Sequence, residues 1–172
     1  VGAWSEQPLL TNYIDTSDRY LLESRLALRL RLLEPSCYLL GLKGFGSIVD
    51  GVAKRLEWEQ RLTSPTNSFY SGLHYSNIGP GSVKDQIDGL VGCRDSDADL
   101  CFLPLMETDI YRQTRIFELD GVCRVEMALD HGTIRAGGNE TSICEVEIEK
   151  VSGSLPPMHL FARELSKRYG LK

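Results

Sequence analysis

A chain of 172 residues with 42% hydrophobic and 25% charged content has the size and composition of one ordinary globular domain with its own core. Its net charge of -5 excludes the broad basic footprint of a general nucleic-acid binder, and no run of about 18 apolar residues offers a membrane-spanning helix. Five cysteines, at 37, 93, 101, 123 and 144, are odd in number and lack CxxC pairs, which excludes a structural zinc site of the usual spacing and points to a reduced, cytoplasmic setting.

Taken in chain order, alternation of apolar and polar residues predicts strands at 11–15, 26–33, 38–43, 53–62, 108–119, 122–130, 132–136 and 142–151. The Asp120-Gly121 pair suits a tight antiparallel hairpin. Residues 63–100 are rich in Gly, Ser, Asn and Asp and read as an insertion between strands, with one helical pattern at Val83, Ile87, Leu90 and Val91. GFGS at 44–47 reads as a flexible turn. After Pro156 and Pro157, the apolar residues Met158, Phe161, Ala162, Leu165 and Tyr169 recur at helical spacing, and Gly170 follows as a stop. The fold class is α+β, antiparallel and strand-rich.

In an extended strand alternate side chains share a face, which sorts the charges. In LALRLRLL, Arg29 and Arg31 oppose Leu28, Leu30 and Leu32; in VAKRLEWEQRL, Arg55, Glu57, Glu59 and Arg61 oppose Leu56 and Trp58. In CRVEMALD, Arg124, Glu126 and Asp130 oppose Val125, Met127 and Leu129; in CEVEIEK, Glu145, Glu147 and Glu149 oppose Cys144, Val146 and Ile148. Lys43 closes LLGLK, and Arg112 and Arg115 lie in TDIYRQTRIFEL. If such a sheet closes into a barrel, pattern alone admits both outcomes: apolar sides packed inside with charges in water, or charged sides inside around a ligand. Arginine and lysine orient phosphate oxygens, while grouped carboxylates hold Mg²⁺ or Mn²⁺. Both together are what a polyphosphate-cleaving site requires.

The order NYIDTSDRYLLESRLALRLR, LKGFGS with GVAKRLEWE, PLMETDIYRQT, RVEMALDHGTIRAGG and ICEVEIEKVSG with its trailing helix resembles the CYTH superfamily, the triphosphate tunnel metalloenzymes, and most of all its bacterial inorganic triphosphatase branch. The resemblance implies an antiparallel eight-stranded β-barrel tunnel with charged faces inward and helices packed outside. It implies a metal-dependent hydrolase of inorganic triphosphate or a related triphosphorylated compound, with Mg²⁺ or Mn²⁺ as cofactor. Arg29, Arg31, Lys43 and Arg112 match the family's phosphate-gripping residues, with Arg55 a weaker match; Asp130, Glu145 and Glu147 match the metal ligands; Glu57, Glu59 and Glu126 take supporting roles by parity.

The family's N-terminal ExExK strand has no counterpart before NYIDTSD, so the resemblance implies one CYTH-like domain over 1–172 whose first strand is missing by truncation. A non-catalytic polyphosphate-binding module is one alternative, and a CYTH-type adenylate cyclase or thiamine triphosphatase another. The expected partner is a small molecule carrying triphosphate or polyphosphate, with no nucleic acid and no membrane; a homodimer is left open. His74, His131 and His159 read as surface residues, Trp58 and Cys144 as packing, and Glu149 as paired with Lys150 or Arg135.

Overall fold

The computed structural model describes residues 2–44, 46–49, 52–63, 68–91 and 100–171. Val1, Phe45 of the GFGS turn, Cys93, Lys172, the insertion residues at 64–67 and 92–99, and the side chain of Val91 lie outside the described residues. The elements run β1 (Ser5–Asp15), α1 (Tyr20–Glu23), β2 (Leu26–Glu34), β3 (Cys37–Gly44), β4 (Ser47–Val49), β5 (Val52–Lys54), β6 (Glu57–Thr63), α2 (Ser68–Ser71), β7 (Leu73–His74), a 3-10 turn (Tyr75–Asn77), α3 (Ser82–Val91), β8 (Cys101–Leu119), β9 (Cys123–Ala136), β10 (Asn139–Gly153) and α4 (Leu155–Tyr169).

Hydrogen bonding orders the main sheet β10-β9-β8-β1-β2-β3-β6, with β7 paired to β8 as its eighth strand and β4–β5 a separate two-stranded sheet. The expected eight-stranded, mostly antiparallel sheet with a few helices is therefore present. Its membership differs from the expectation. The strands expected at 122–130 and 132–136 are one continuous strand, β9, because Gly132 adopts no left-handed turn. The eighth strand is instead the short β7, inside what was read as insertion. The strand expected at 53–62 is broken: β5 ends at Lys54 and β6 starts at Glu57. Leu56 sits in the break and is 68% exposed, although alternation placed it on the apolar side.

Two compact units divide the chain: Leu9–Asp109 with Ile134–Glu140, and Val1–Pro8 with Ile110–Thr133 and Thr141–Lys172. In the first, the register Leu28↔Leu42 and Leu30↔Leu40 stacks four leucines across β2 and β3, all essentially inaccessible. Leu62 of β6 extends the row beside Tyr38, and Trp58 packs partly buried against the cluster, as expected. What covers this apolar face comes from the helices: Leu21 of α1, Phe69 of α2, Ile78, and Val83 and Ile87 of α3. Each leucine so buried contributes about 1.5–3 kcal/mol. With its apolar side sealed by helices, the strand face that carries Arg29, Arg31 and Lys43 is the opposite one.

Three side chains anchor two of those helices. Only four residues long, α1 has Arg19 at its N-cap in the left-handed region with no side-chain cap. Its first amides are met from upstream instead: Tyr20 N donates to Thr16 Oγ1 at 2.9 Å, and Leu21 N and Leu22 N donate to the buried Asp15 carboxylate at 2.9 and 3.0 Å. For α3, Gln60 of β6 does the same work, its Oε1 accepting Val83 N at 3.0 Å and Lys84 N at 3.1 Å. Amides at a helix start have no partner within the helix, so both contacts fix where the cover begins.

In the second unit α4 follows the predicted grammar, with Ser154 as N-cap, prolines in the first turn, Lys167 and Arg168 in the last, and left-handed Gly170 as C-cap. Met158 is buried, and Phe161 lies 5.5 Å from Phe117 of β8, whose ring Trp4 meets edge-on at 6.5 Å. Cys123, Val125 and Met127 fill the apolar parity of β9 as expected.

Candidate functional site

In the unit built on Leu9–Asp109, the predicted cations Arg29, Arg31 and Lys43 occupy one face of β2 and β3. Arg29 is the deepest, only 9% exposed, and its Nη2 meets Glu59 Oε1 at 2.7 Å. Lys43 pairs with Glu57 directly across the β3–β6 ladder, Nζ to Oε1 at 2.9 Å. Arg31 Nε donates to Thr11 Oγ1 at 3.2 Å, its partner in the β1–β2 register. Thr11, 2% exposed, was invisible to charge patterning; it comes to light only once β1 is placed beside β2. Glu57 and Glu59 thus act as counterions of these bases. Arg55 lies in the break between β5 and β6, exposed, so strand parity does not place its side chain. Arg135 of β9 is held by Glu140 at 2.7 Å, Glu107 at 2.9 Å and Asp109 at 3.8 Å, and hydrogen bonds to Glu140 and Glu107 raise its pKa. In the other unit, among the described residues, Glu149 does not pair with Lys150 as expected; Lys150 donates to Gly153 O at 3.1 Å.

In the other unit Arg112 of β8 joins the predicted acids of β9 and β10. Its Nε and Nη2 fork onto Asp130 Oδ1 and Oδ2 at 2.7 and 2.5 Å, and the same Nη2 reaches Glu147 Oε2 at 2.6 Å. Asp130 is 2% exposed, so its charge is compensated almost wholly by this guanidinium. The hydrogen bond to Asp130, together with the charges of Glu147 and Asp130, lifts the Arg112 pKa further above its already high value despite partial burial. Among the described residues no ion pair reaches Glu145. Partial burial, then the like charges of Glu147 and Asp130, raise its pKa above the ordinary glutamate value, with Arg112 opposing. Glu126, on the same side of β9 as Asp130, is half-buried.

Among the described residues no group of three or more His, Cys, Asp and Glu side chains converges as a metal cage. The donor chemistry nevertheless fits a hard divalent cation: Asp130, Glu145 and Glu147 offer oxygen only, and their mutual repulsion leaves Glu145 short of positive charge. The side chains that would hold such an ion are those three. His131 is exposed and tilts against the Tyr111 ring at 5.3 Å, while the Tyr111 hydroxyl donates to Glu6, which also accepts from Gln113 at 2.7 Å. His159 is half-buried and its Nε2 has no hydrogen-bond partner, unlike the surface residue expected. Cys144, expected to pack, is exposed.

A family model for the CYTH domain matches residues 4–167. The chain belongs to the CYTH family. Against the inorganic triphosphatase of Haemophilus influenzae it is 29% identical over 156 residues, which cover 89% of this chain and 39% of that relative. The chain therefore spans about two fifths of that relative's length. Among solved structures this CYTH chain is similar to an adenylyl cyclase candidate from Hippeastrum with a dominant triphosphatase activity, at 17% identity and a TM-score of 0.67, covering 97% of this chain and 76% of that one. It is also similar to a candidate adenylate cyclase of Bacillus halodurans, at 19% identity and a TM-score of 0.60, with the same coverage. At those identities the likeness extends to the CYTH fold. No described helix is long and apolar enough to cross a membrane.

Proposed function

We propose that this CYTH chain hydrolyses inorganic triphosphate or a close triphosphorylated relative with the help of Mg²⁺ or Mn²⁺. The observation that carries the reading is Arg112 forked onto Asp130 and bridging to Glu147, with Glu145 on the same face of β10 two residues away, so that a phosphate-seeking guanidinium and oxygen-only acids occur together. Arg29, Arg31 and Lys43 hold phosphate oxygens, and the carboxylates Glu59 and Glu57 that now neutralise Arg29 and Lys43 are displaced by the more highly charged substrate. A divalent ion, held by Asp130, Glu145 and Glu147, would neutralise phosphate charge and so leave the terminal phosphorus more open to attack. Water attacks that phosphorus: its oxygen forms the new P–O bond while one of its protons passes to solvent, the bond to the bridging oxygen breaks, and phosphate and diphosphate leave. Glu57 and Glu59 hold Lys43 and Arg29 in place until substrate arrives, Glu126 supports the acids, and Arg55 reaches substrate from an exposed position.

The relative named as an inorganic triphosphatase supports the reaction class. The test is phosphate release from inorganic triphosphate, ATP and thiamine triphosphate at fixed Mg²⁺ or Mn²⁺. Triphosphate is expected to be cleaved fastest, with turnover lost on chelation and in the Glu145→Ala/Glu147→Ala double variant. Wild-type-like hydrolysis by that variant sinks the metal assignment, and preference for ATP with cyclisation sinks the substrate.

A further inference from the structure

We infer that Gly41 is the positioning residue for Arg29: the missing side chain in the middle of β3 is the saddle over which Arg29 reaches Glu59. Arg29 of β2 is registered opposite Gly41, and Gly41 opposite Glu59 of β6. Neighbouring strands stand about 4.8 Å apart, so the backbones of residues 29 and 59 are separated by about 10 Å with β3 between them. Yet Arg29 Nη2 touches Glu59 Oε1 at 2.7 Å. The side chain therefore lies across β3. A Cβ on residue 41 would stand 2.8 Å from Arg29 Nε, 3.1 Å from Cγ and 3.5 Å from Cδ, so any larger residue evicts the guanidinium from its path.

The glycine is not there for its backbone freedom, since its φ is not in the left-handed region. A glycine inside a strand weakens it and commonly marks a close approach, and here the approaching group is a side chain. On the same face of β3 the flanking positions, Leu39 and Lys43, do carry side chains. Arg29 Nε is buried and unpartnered, pressed against this gap. Gly41 thereby fixes both the depth at which Arg29 lies and the counterion that holds it there.

This inference rests on the proposed function for its binding readout, and the experiment separates the two. Inorganic triphosphate binding is measured by calorimetry, with chelator present, for the wild type, Gly41→Ala, Arg29→Ala and the double variant. Gly41→Ala is expected to weaken binding at least about tenfold, the worth of a charge-assisted phosphate contact, and to change it less than about twofold in the Arg29→Ala background. Wild-type affinity in Gly41→Ala, or the same loss in both backgrounds, overturns the inference. A second readout needs neither substrate nor a folded variant at position 41. The Arg29 Nε–H resonance of the wild type, assigned by its disappearance in Arg29→Lys, is expected to exchange with water slowly; exchange as fast as an exposed arginine's overturns the inference. If the wild type binds no triphosphate, the proposed function falls while the exchange measurement still decides Gly41.

Discussion

Replacing Arg112 by methionine keeps a long apolar stem and removes the cation that, among the described residues, compensates Asp130. The fork onto Asp130 at 2.7 and 2.5 Å is the buried part, with the aspartate side chain 1% exposed and the arginine 22%. The contact to Glu147 is the cheap part, since that carboxylate is 54% exposed and such pairs are worth at most about 1 kcal/mol. Breaking a buried pair from one side costs about 3–5 kcal/mol because an unpaired charge stays behind. The partial exposure of Arg112 lets water approach, which puts this case near the lower end, about 3 kcal/mol. For a chain of this size that is a loss of roughly 6–12 °C in Tm.

The assay is urea unfolding followed by Trp4 fluorescence in a Trp58→Phe background. Trp4 and Trp58 are the two tryptophans, and Trp4 packs on Phe117 in the same unit as Arg112. Asp130→Asn in the Arg112→Met background should recover most of the loss. A variant within about 1 kcal/mol of wild type at neutral pH, or no recovery in the Asp130→Asn double variant, refutes the claim that Arg112 neutralises a buried aspartate.

Asp15→Ala leaves the first amides of α1 without acceptors and should cost about 2–4 kcal/mol by thermal unfolding, with Asp15→Asn recovering part of it. Gln60→Ala removes the acceptor from Val83 N and Lys84 N and should cost about 1–2 kcal/mol, seen as faster amide exchange in the first turn of α3. Glu6 is held below the ordinary glutamate range by Tyr111 and then Gln113, so Tyr111→Phe should return its titration toward the usual value by carboxyl NMR. The stability this depressed pKa gives is present above the unfolded pKa and fades as pH falls through the folded one. Triphosphate with Mn²⁺ at about 100 times its Kd should add about 2.7 kcal/mol to wild-type stability, and absence of any Tm rise contradicts binding.

Strand parity carried most of what the sequence revealed. Leu28, Leu30, Leu40 and Leu42 are buried and Arg29 faces the other way, because a period of two leaves a strand no third choice. The break at Arg55 and Leu56 was not visible, since the alternation runs on through it undisturbed. The cover over the leucines was not visible either, because Phe69 and Ile78 stand singly among polar residues and become core only through contacts far away in sequence. The candidate site shows the same division. Alternation set Asp130 and Glu147 on their charged faces and the family resemblance named Arg112, but that one nitrogen bridges both acids depends on strand register, which charge spacing does not contain. Gly41 drew no reading from the sequence, because its role depends on Arg29 lying across it.

Within the stretch that read as an insertion, residues 63–100, the described segment from Ser68 to Ile87 supplies much of the lid of the leucine core. Its residues answer to volume and greasiness rather than to phosphate chemistry. Substitutions there are free to wander in identity so long as they still fill the space, whereas excising the segment would leave a flat leucine sheet open to water and to other chains, an aggregation surface. For protein engineers a segment that looks like a removable insertion is therefore a part they cannot trim.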